Sequence, residues 1–131
     1  MDNSGKSALG LDQNVAAGLA YLPICGINLI MSIIIIATDK TNKLPRFHAF
    51  QSLLLAGVTI VGYIVVWILT VLLAVIGSAI KFPAIAFLGM LLLIIFVLAV
   101  LAALVMCLIK AFSGKMYKLP IIGNMADNWS N

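Results

Sequence analysis

The densest run of chemically capable side chains is Arg46-Phe47-His48-Ala49-Phe50-Gln51-Ser52. On a helix, Phe47, Phe50 and Leu54 share one side, while His48 and Ser52 share another with Gln51 close by. A histidine can serve as base, metal ligand or pH switch. His48 and Ser52, one turn apart, are the nearest approach to a base beside a nucleophile. Yet His48 is the chain's single histidine, and it has no acid and no cysteine at its depth. Arginine and histidine at headgroup level with aromatics below read instead as an interfacial anchor. The reading assigns no catalytic residue, no metal set and no cofactor, and the chain is read as a non-enzyme.

A second cluster stands near the C-terminus, Lys115-Met116-Tyr117-Lys118-Leu119-Pro120-Ile121-Ile122-Gly123-Asn124-Met125-Ala126. Proline and glycine punctuate it, and apolar side chains alternate with two lysines, as in a short segment lying on a membrane. Arg46, Phe47, His48, Gln51, Lys118, Pro120 and Gly123 form the candidate interaction surface on one membrane face. If the tail folds back, Pro120 and Ile121 pack near Phe47 or Phe50. His48 and Gln51 then satisfy the backbone groups freed around Lys118-Leu119-Pro120.

The elements that must position these clusters follow from three stretches without a charge: Gln13 to Thr38, Ala49 to Ile80 and Phe82 to Ile109. Each exceeds the roughly 20 helical residues that a hydrocarbon core of about 30 Å requires. Runs such as Leu91-Leu92-Leu93-Ile94-Ile95-Phe96 do not alternate as barrel strands would. The expected fold is all-α: a polytopic three-helix transmembrane bundle with a short interfacial C-terminal segment. At 131 residues, 64% of them hydrophobic, the chain has room for one transmembrane domain, 1–131, and no second soluble one. Its spans are expected near 14–37, 49–77 and 84–112, with the interfacial segment at 115–127.

Three spans place the 39–48 segment and the C-terminus on one face, and the N-terminus and Lys81 on the other. Six of the eight basic residues then share one face: Lys40, Lys43, Arg46, Lys110, Lys115 and Lys118. Basic loops stay cytoplasmic, so the N-terminus is read as outside and the C-terminus as cytoplasmic. A bacterial inner membrane fits best, with a plastid inner envelope or thylakoid as the other setting. The start, Met1-Asp2-Asn3-Ser4-Gly5-Lys6, is not read as a cleavable signal. Cys25 and Cys107 lie at different depths, which argues against a disulfide.

Within the spans, Tyr21, Asn28, Ser32, Thr59, Tyr63 and Thr70 recur at helical spacings and form a candidate polar stripe inside the bundle. Such weakly polar stripes suit close helix packing in lipid. Intramembrane ionisable groups usually mark ion or proton routes. None of the three stretches holds a charged residue, which argues against a proton-coupled pump. The favoured function is association with other membrane proteins, as an accessory or assembly subunit or a protein-transport component. The alternative is a small oligomeric transporter or channel with the stripe as its path. Membrane lipid and other membrane proteins are the expected partners, with a homo-oligomer among the arrangements considered and nucleic acid excluded.

The Arg-Phe-His-Ala-x-Gln-Ser-Leu-Leu-Leu start at Arg46 to Leu55 and the Lys-Leu-Pro-x-Ile-Gly-x-x-Ala element at Lys118 to Ala126 resemble the Tic-twenty-like family. An Ala16-Ala17-Gly18-Leu19-Ala20-Tyr21-Leu22 opening fits the same pattern. That family joins small bacterial membrane proteins to a chloroplast inner-envelope translocon subunit. The resemblance implies a compact helical bundle and a link to protein transport, and carries over no catalytic residue. The plastid member has four spans, against three expected here.

Overall fold

The computed structural model describes residues 5–22 and 26–131 and is all-helical apart from one isolated bridge between Lys6 and Asp12. Five helices follow in order: α1 Gln13–Leu19, α2 Ile27–Thr38, α3 Lys43–Ala79, α4 Ala84–Phe112 and α5 Ile122–Trp129. The chain divides into two compact units, Met1–Ala56 with Ala103–Asn131, and Gly57–Ala102.

The expected first span, 14–37, is not one helix. Asp12 caps α1 by accepting from Asn14 N at 2.8 Å, and α1 stops at Leu19. α2 starts only after Gly26, whose φ of 74° is a left-handed conformation that glycine adopts without strain. The amide of Asn28 closes the connection onto Leu22 O at 3.1 Å. Pro23 and Cys25, which the sequence reading placed within that span, lie outside the described residues. At 12 residues α2 extends about 18 Å, well short of a hydrocarbon core. Among the described residues two helices, α3 and α4, are long and apolar enough to cross a membrane, where the sequence suggested three.

This break moves the N-terminal segment. Asn42 Nδ2 donates to Lys6 O at 3.2 Å and to Gln13 Oε1 at 3.1 Å. Lys6, expected across the membrane from the 39–48 segment, sits against it. The physical reason is the missing helix: α1 and α2 are two short helices that pack on each other.

In the first unit, Ala16, Ala20, Ile35 and Ala49 form one buried cluster; Ala17, Tyr21, Leu44, Cys107, Ala111 and Leu119 form another. Small residues dominate, so helices approach closely. The carbonyl of Ala20, just past α1, accepts from both Ser32 Oγ and Ser52 Oγ and ties α2 and α3 to it. α3 begins at Lys43, earlier than expected. Asn42 Oδ1 accepts from Leu44 N at 3.3 Å, and Pro45 sits in the first turn, where its missing N–H costs nothing.

The second unit is the hairpin of α3 and α4 joined at Lys81-Phe82-Pro83. Lys81 turns the chain with φ of 55°, and Phe82 N donates to Gly77 O at 2.8 Å. α4 has the bounds expected from sequence. Two glycines set the spacing of its helices. A Cβ on Gly89 would stand 2.9 Å from Thr70 Cα, and one on Gly62 would meet the Phe96 ring at 2.8 Å. Thr70 Oγ1 donates across to Gly89 O at 3.0 Å.

α4 ends in the first unit. Gly114 has φ of 72°, Lys115 N donates to Lys110 O at 2.9 Å and Gly114 N to Ala111 O at 3.0 Å. This paired 6→1 and 5→2 bonding is a Schellman end, and it turns the tail out of the helix axis. The tail then bends at Ile121 (φ 66°, ψ −64°), where Ile122 N donates to Pro120 O at 2.8 Å in a γ-turn. α5 follows at once.

Candidate functional site

Breaking α4 at Gly114 frees the backbone polar groups of the tail, and buried groups of this kind must find partners. The first turns of α3 supply them. Gln51 Nε2 donates to Tyr117 O at 2.8 Å, and Gln51 Oε1 accepts from Leu119 N at 3.0 Å. One carboxamide therefore holds an extended tail as a neighbouring strand would. The second hydrogen of Nε2 goes to Tyr21 Oη at 2.9 Å, with Cys107 Sγ at 3.5 Å alongside. His48 adds a third hold on the tail, with Nε2 2.9 Å from Lys115 O.

The proton pattern follows from the partners. Lys115 O can only accept, so His48 Nε2 carries the hydrogen and Nδ1 of the neutral ring is an acceptor. Tyr21 Oη, 3.1 Å from Nδ1, donates to it and accepts from Gln51. Tyr21 and Phe47 both meet the His48 ring edge-on, at centroid distances of 5.4 Å and 5.0 Å. Phe47, His48, Gln51 and Tyr21 are all fully buried. The side-chain polar atoms of Tyr21, His48 and Gln51 are all engaged, and together they form a lock on the tail.

That burial corrects the expectation of an outward surface. His48 and Gln51 face their own chain, where they bond the tail, and Phe47 packs edge-on against the His48 ring. Gly123 is buried too: a Cβ there would stand 2.6 Å from Lys118 Cα, so glycine is what lets α5 return against the tail. Pro120 is exposed, and Ile121 is 78% exposed at the apex of its turn instead of packed on Phe47 or Phe50. Phe50 meets Trp129 edge-on at 6.0 Å.

Arg46 works at the rim of the lock. Its Nη1 donates to Ile36 O at 3.0 Å and Asp39 O at 3.4 Å, and its Nε to Ser130 O at 3.4 Å. A cation at the end of α2 suits the helix dipole, and the guanidinium also lies 5.5 Å over the Phe50 ring. Lys118 Nζ reaches Asp127 Oδ2 at 2.7 Å, and Lys43 Nζ reaches Oδ1 at 2.8 Å. These two lysines, Lys118 first, hold the Asp127 carboxyl below the usual carboxylate range. Asp39 is buried, and its Oδ2 has no hydrogen-bond partner among the described residues.

The expected polar stripe falls into two sets. Tyr21 and Ser32 bond within the first unit, and the partly buried Asn28 lends Ser32 its carbonyl at 2.6 Å. Thr70 bonds within the second unit. Thr59 and Tyr63 line a cavity of about 340 Å³ beside Phe96 and Val100, whose lining is otherwise apolar. Each set serves its own unit.

Sequence reasoning singled out His48 and Gln51 but grouped Tyr21 with the stripe, and it missed Asn42, Asp39, Cys107 and Asp127. The usable signal for Tyr21 was a buried-type aromatic with a polar tip, which needs a partner. Only His48 and Gln51 had matching capacity near the tail.

Comparison with known proteins gives the chain its relatives. The chain is 33% identical over 126 residues to a UPF0132 membrane protein of Methanocaldococcus jannaschii, covering 96% of each. It is 30% identical over 119 residues to a UPF0132 membrane protein of Archaeoglobus fulgidus, covering 89% of this chain and 94% of that one. No solved structure matches the chain. The resemblance to the Tic-twenty-like family is overturned. A different family model matches residues 12–126, a range that includes both motifs on which the resemblance rested, and the protein-transport link falls with it. Those motifs are the two halves of the lock. The chain belongs to the magnetosome magnetite crystal formation protein family.

Proposed function

We propose that this protein is a non-enzymatic membrane scaffold, made of a locked polar unit and a two-span hairpin and acting by association within the membrane. The observation that carries the reading is the contrast in burial. The tail is held by a saturated internal network, while the apolar windows of α3 and α4 are almost entirely uncovered by the chain itself. Apolar surface on that scale needs lipid or protein to cover it.

The reading also assigns orientation. With Lys6 against Asn42, seven of the eight basic residues belong to the first unit, and Lys81 in the hairpin turn is the exception. The positive-inside bias then favours a cytoplasmic first unit with both chain ends on that side. The family description concerns magnetite crystal formation. Among the described carboxylates, Asp12 caps α1, Asp39 is buried and Asp127 is held by two lysines. The reading therefore gives this chain a part in organising a membrane, with no carboxylate face presented to a mineral.

Purification from native membranes in mild detergent tests it. Wild type should carry a fixed set of membrane proteins or further copies of itself. Gln51→Leu, still inserted but with its tail released, should lose them. Identical recovery from both proteins, or turnover of a small molecule by the purified protein, would contradict a scaffold built on the locked unit.

A further inference from the structure

α5 is packed on one side and open on two. Gly123, Ala126 and the capping Ser130 are buried and mark the side that meets the rest of the first unit. With 3.6 residues per turn, the other positions divide between two flanks. Met125 and Trp129, with Ile121 at the turn before them, stand four apart and make an exposed apolar ridge. Asn124, Asp127 and Asn128 occupy the opposite flank. Large apolar side chains on one flank and polar ones on the other are the pattern of a helix lying in a membrane interface.

The contacts of α5 with α3 fix which flank lies nearer the membrane core. On α3 the last charged residue before the span is Arg46, and the uncharged stretch begins at Ala49. Asp127 Oδ1 pairs with Lys43 Nζ at 2.8 Å, in the first turn of α3. Trp129 meets the Phe50 ring edge-on at 6.0 Å, two turns and about 10 Å further along α3. α5 therefore straddles the boundary that α3 itself draws, with its acid on the charged side and its indole on the uncharged side. Indole joins an apolar ring to one polar N–H and is enriched at this level of a membrane. The acid does not oppose that position. Lys43 and Lys118 set two positive charges against its one negative charge, which suits the anionic surface of a cytoplasmic leaflet.

We propose that α5 is seated in the phospholipid interface where α3 enters the membrane. Ile121, Met125 and Trp129 lie against the upper acyl chains, and Asn124 and Asn128 lie toward headgroups and water. Ile121, 78% exposed at the apex of its turn, is then covered by lipid instead of water. The tail has two holds, Gln51 from within and lipid from without. This inference rests on the membrane-spanning hairpin of the proposed function.

The full-length protein in vesicles of phosphatidylcholine and phosphatidylglycerol tests it. The chain has two tryptophans, Trp67 and Trp129, so Trp67→Phe leaves Trp129 as the reporter. Lipid brominated near the carbonyl end of its acyl chains should quench it strongly, lipid brominated near the methyl end much less, and aqueous iodide little. Ile121→Asp and Met125→Asp should each lose most of the shallow quenching and gain quenching by iodide, whereas Asn128→Asp should change neither. Iodide quenching without bromolipid quenching would put α5 in water and overturn the proposal. Strongest quenching from the methyl end, no quenching by either agent, or equal responses to Met125→Asp and Asn128→Asp would overturn it too. Should one ridge variant fail to fold, the other decides it. The reciprocal Trp129→Phe protein separates this from the hairpin reading. If its Trp67 is quenched by bromolipid while Trp129 is not, the hairpin stands and the seat of α5 is wrong. If Trp67 is not quenched either, the membrane reading itself falls.

Discussion

The two units solve the same problem, holding apolar helices together, by opposite means. In the first, short helices and an extended tail surround a network of named hydrogen bonds. Gln51 alone touches Tyr21, Cys107, Tyr117 and Leu119. In the second, one side-chain bond from Thr70 and close approaches at Gly62 and Gly89 are what the described hairpin offers. The first unit carries its own solvent for polar groups. The second depends on its surroundings to cover its outer face. Irregular backbone occurs where side chains can satisfy it, and regular helix occurs where none can, as the energetics of a nonpolar medium require.

The sharpest break in this contrast should come from Gln51→Leu. It leaves Leu119 N and Tyr117 O without their partners in a closed site, for a loss of about 2–5 kcal/mol. Thermal unfolding should drop, and protease should cut near Ser113-Gly114 while the hairpin stays protected. A smaller effect is expected from added methyl groups. Gly123→Ala places Cβ on the Lys118 backbone, and Gly89→Ala places it on that of Thr70. Each overpacking costs about 1–3 kcal/mol. Gly123→Ala should loosen the tail, read as faster amide exchange at Leu119, and Gly89→Ala should leave that amide unchanged. If both variants expose the tail equally, the units are not separate.

The smallest effect concerns Asp127. Its carboxyl is held below the usual range when folded, so its pairing with Lys118 and Lys43 stabilises the first unit fully above about pH 4. That contribution is lost as pH falls through the lowered folded value. Because the pair is partly exposed, Asp127→Asn should flatten only the acid limb of a stability–pH curve below about pH 4 and respond to salt. An unchanged acid limb would remove the ion pairs from the account.

Much of this was legible in the residues. The uncharged stretches at 49–80 and 82–109 announced two long helices, and Lys81-Phe82-Pro83 announced their turn. The bond of Gln51 to Leu119 N followed from simple accounting, since a proline and a helix break free backbone groups, whereas His48, expected at Lys118-Leu119-Pro120, bonds Lys115 O nearer the break. The first stretch misled because length and lack of charge do not distinguish one spanning helix from two short ones. Asn14, Gly18, Gly26 and Asn28 were warnings, since each is cheap to break at, but their effect depends on Ala20 O finding Ser32 and Ser52. That long-range bonding leaves no periodic signature. Burial of Phe47 and Gly123 was illegible for the same reason, because it is created by a tail that returns from about seventy residues away.

In the proposed topology the chain crosses the membrane twice, with Lys6 and the tail sharing one side. Reporter domains fused before Met1 and after Asn131, with a third inserted at the Lys81-Phe82 turn, measure this directly. Both terminal reporters should read cytoplasmic and the turn reporter should read from the opposite side. Terminal reporters on opposite sides would restore a third crossing and contradict the account.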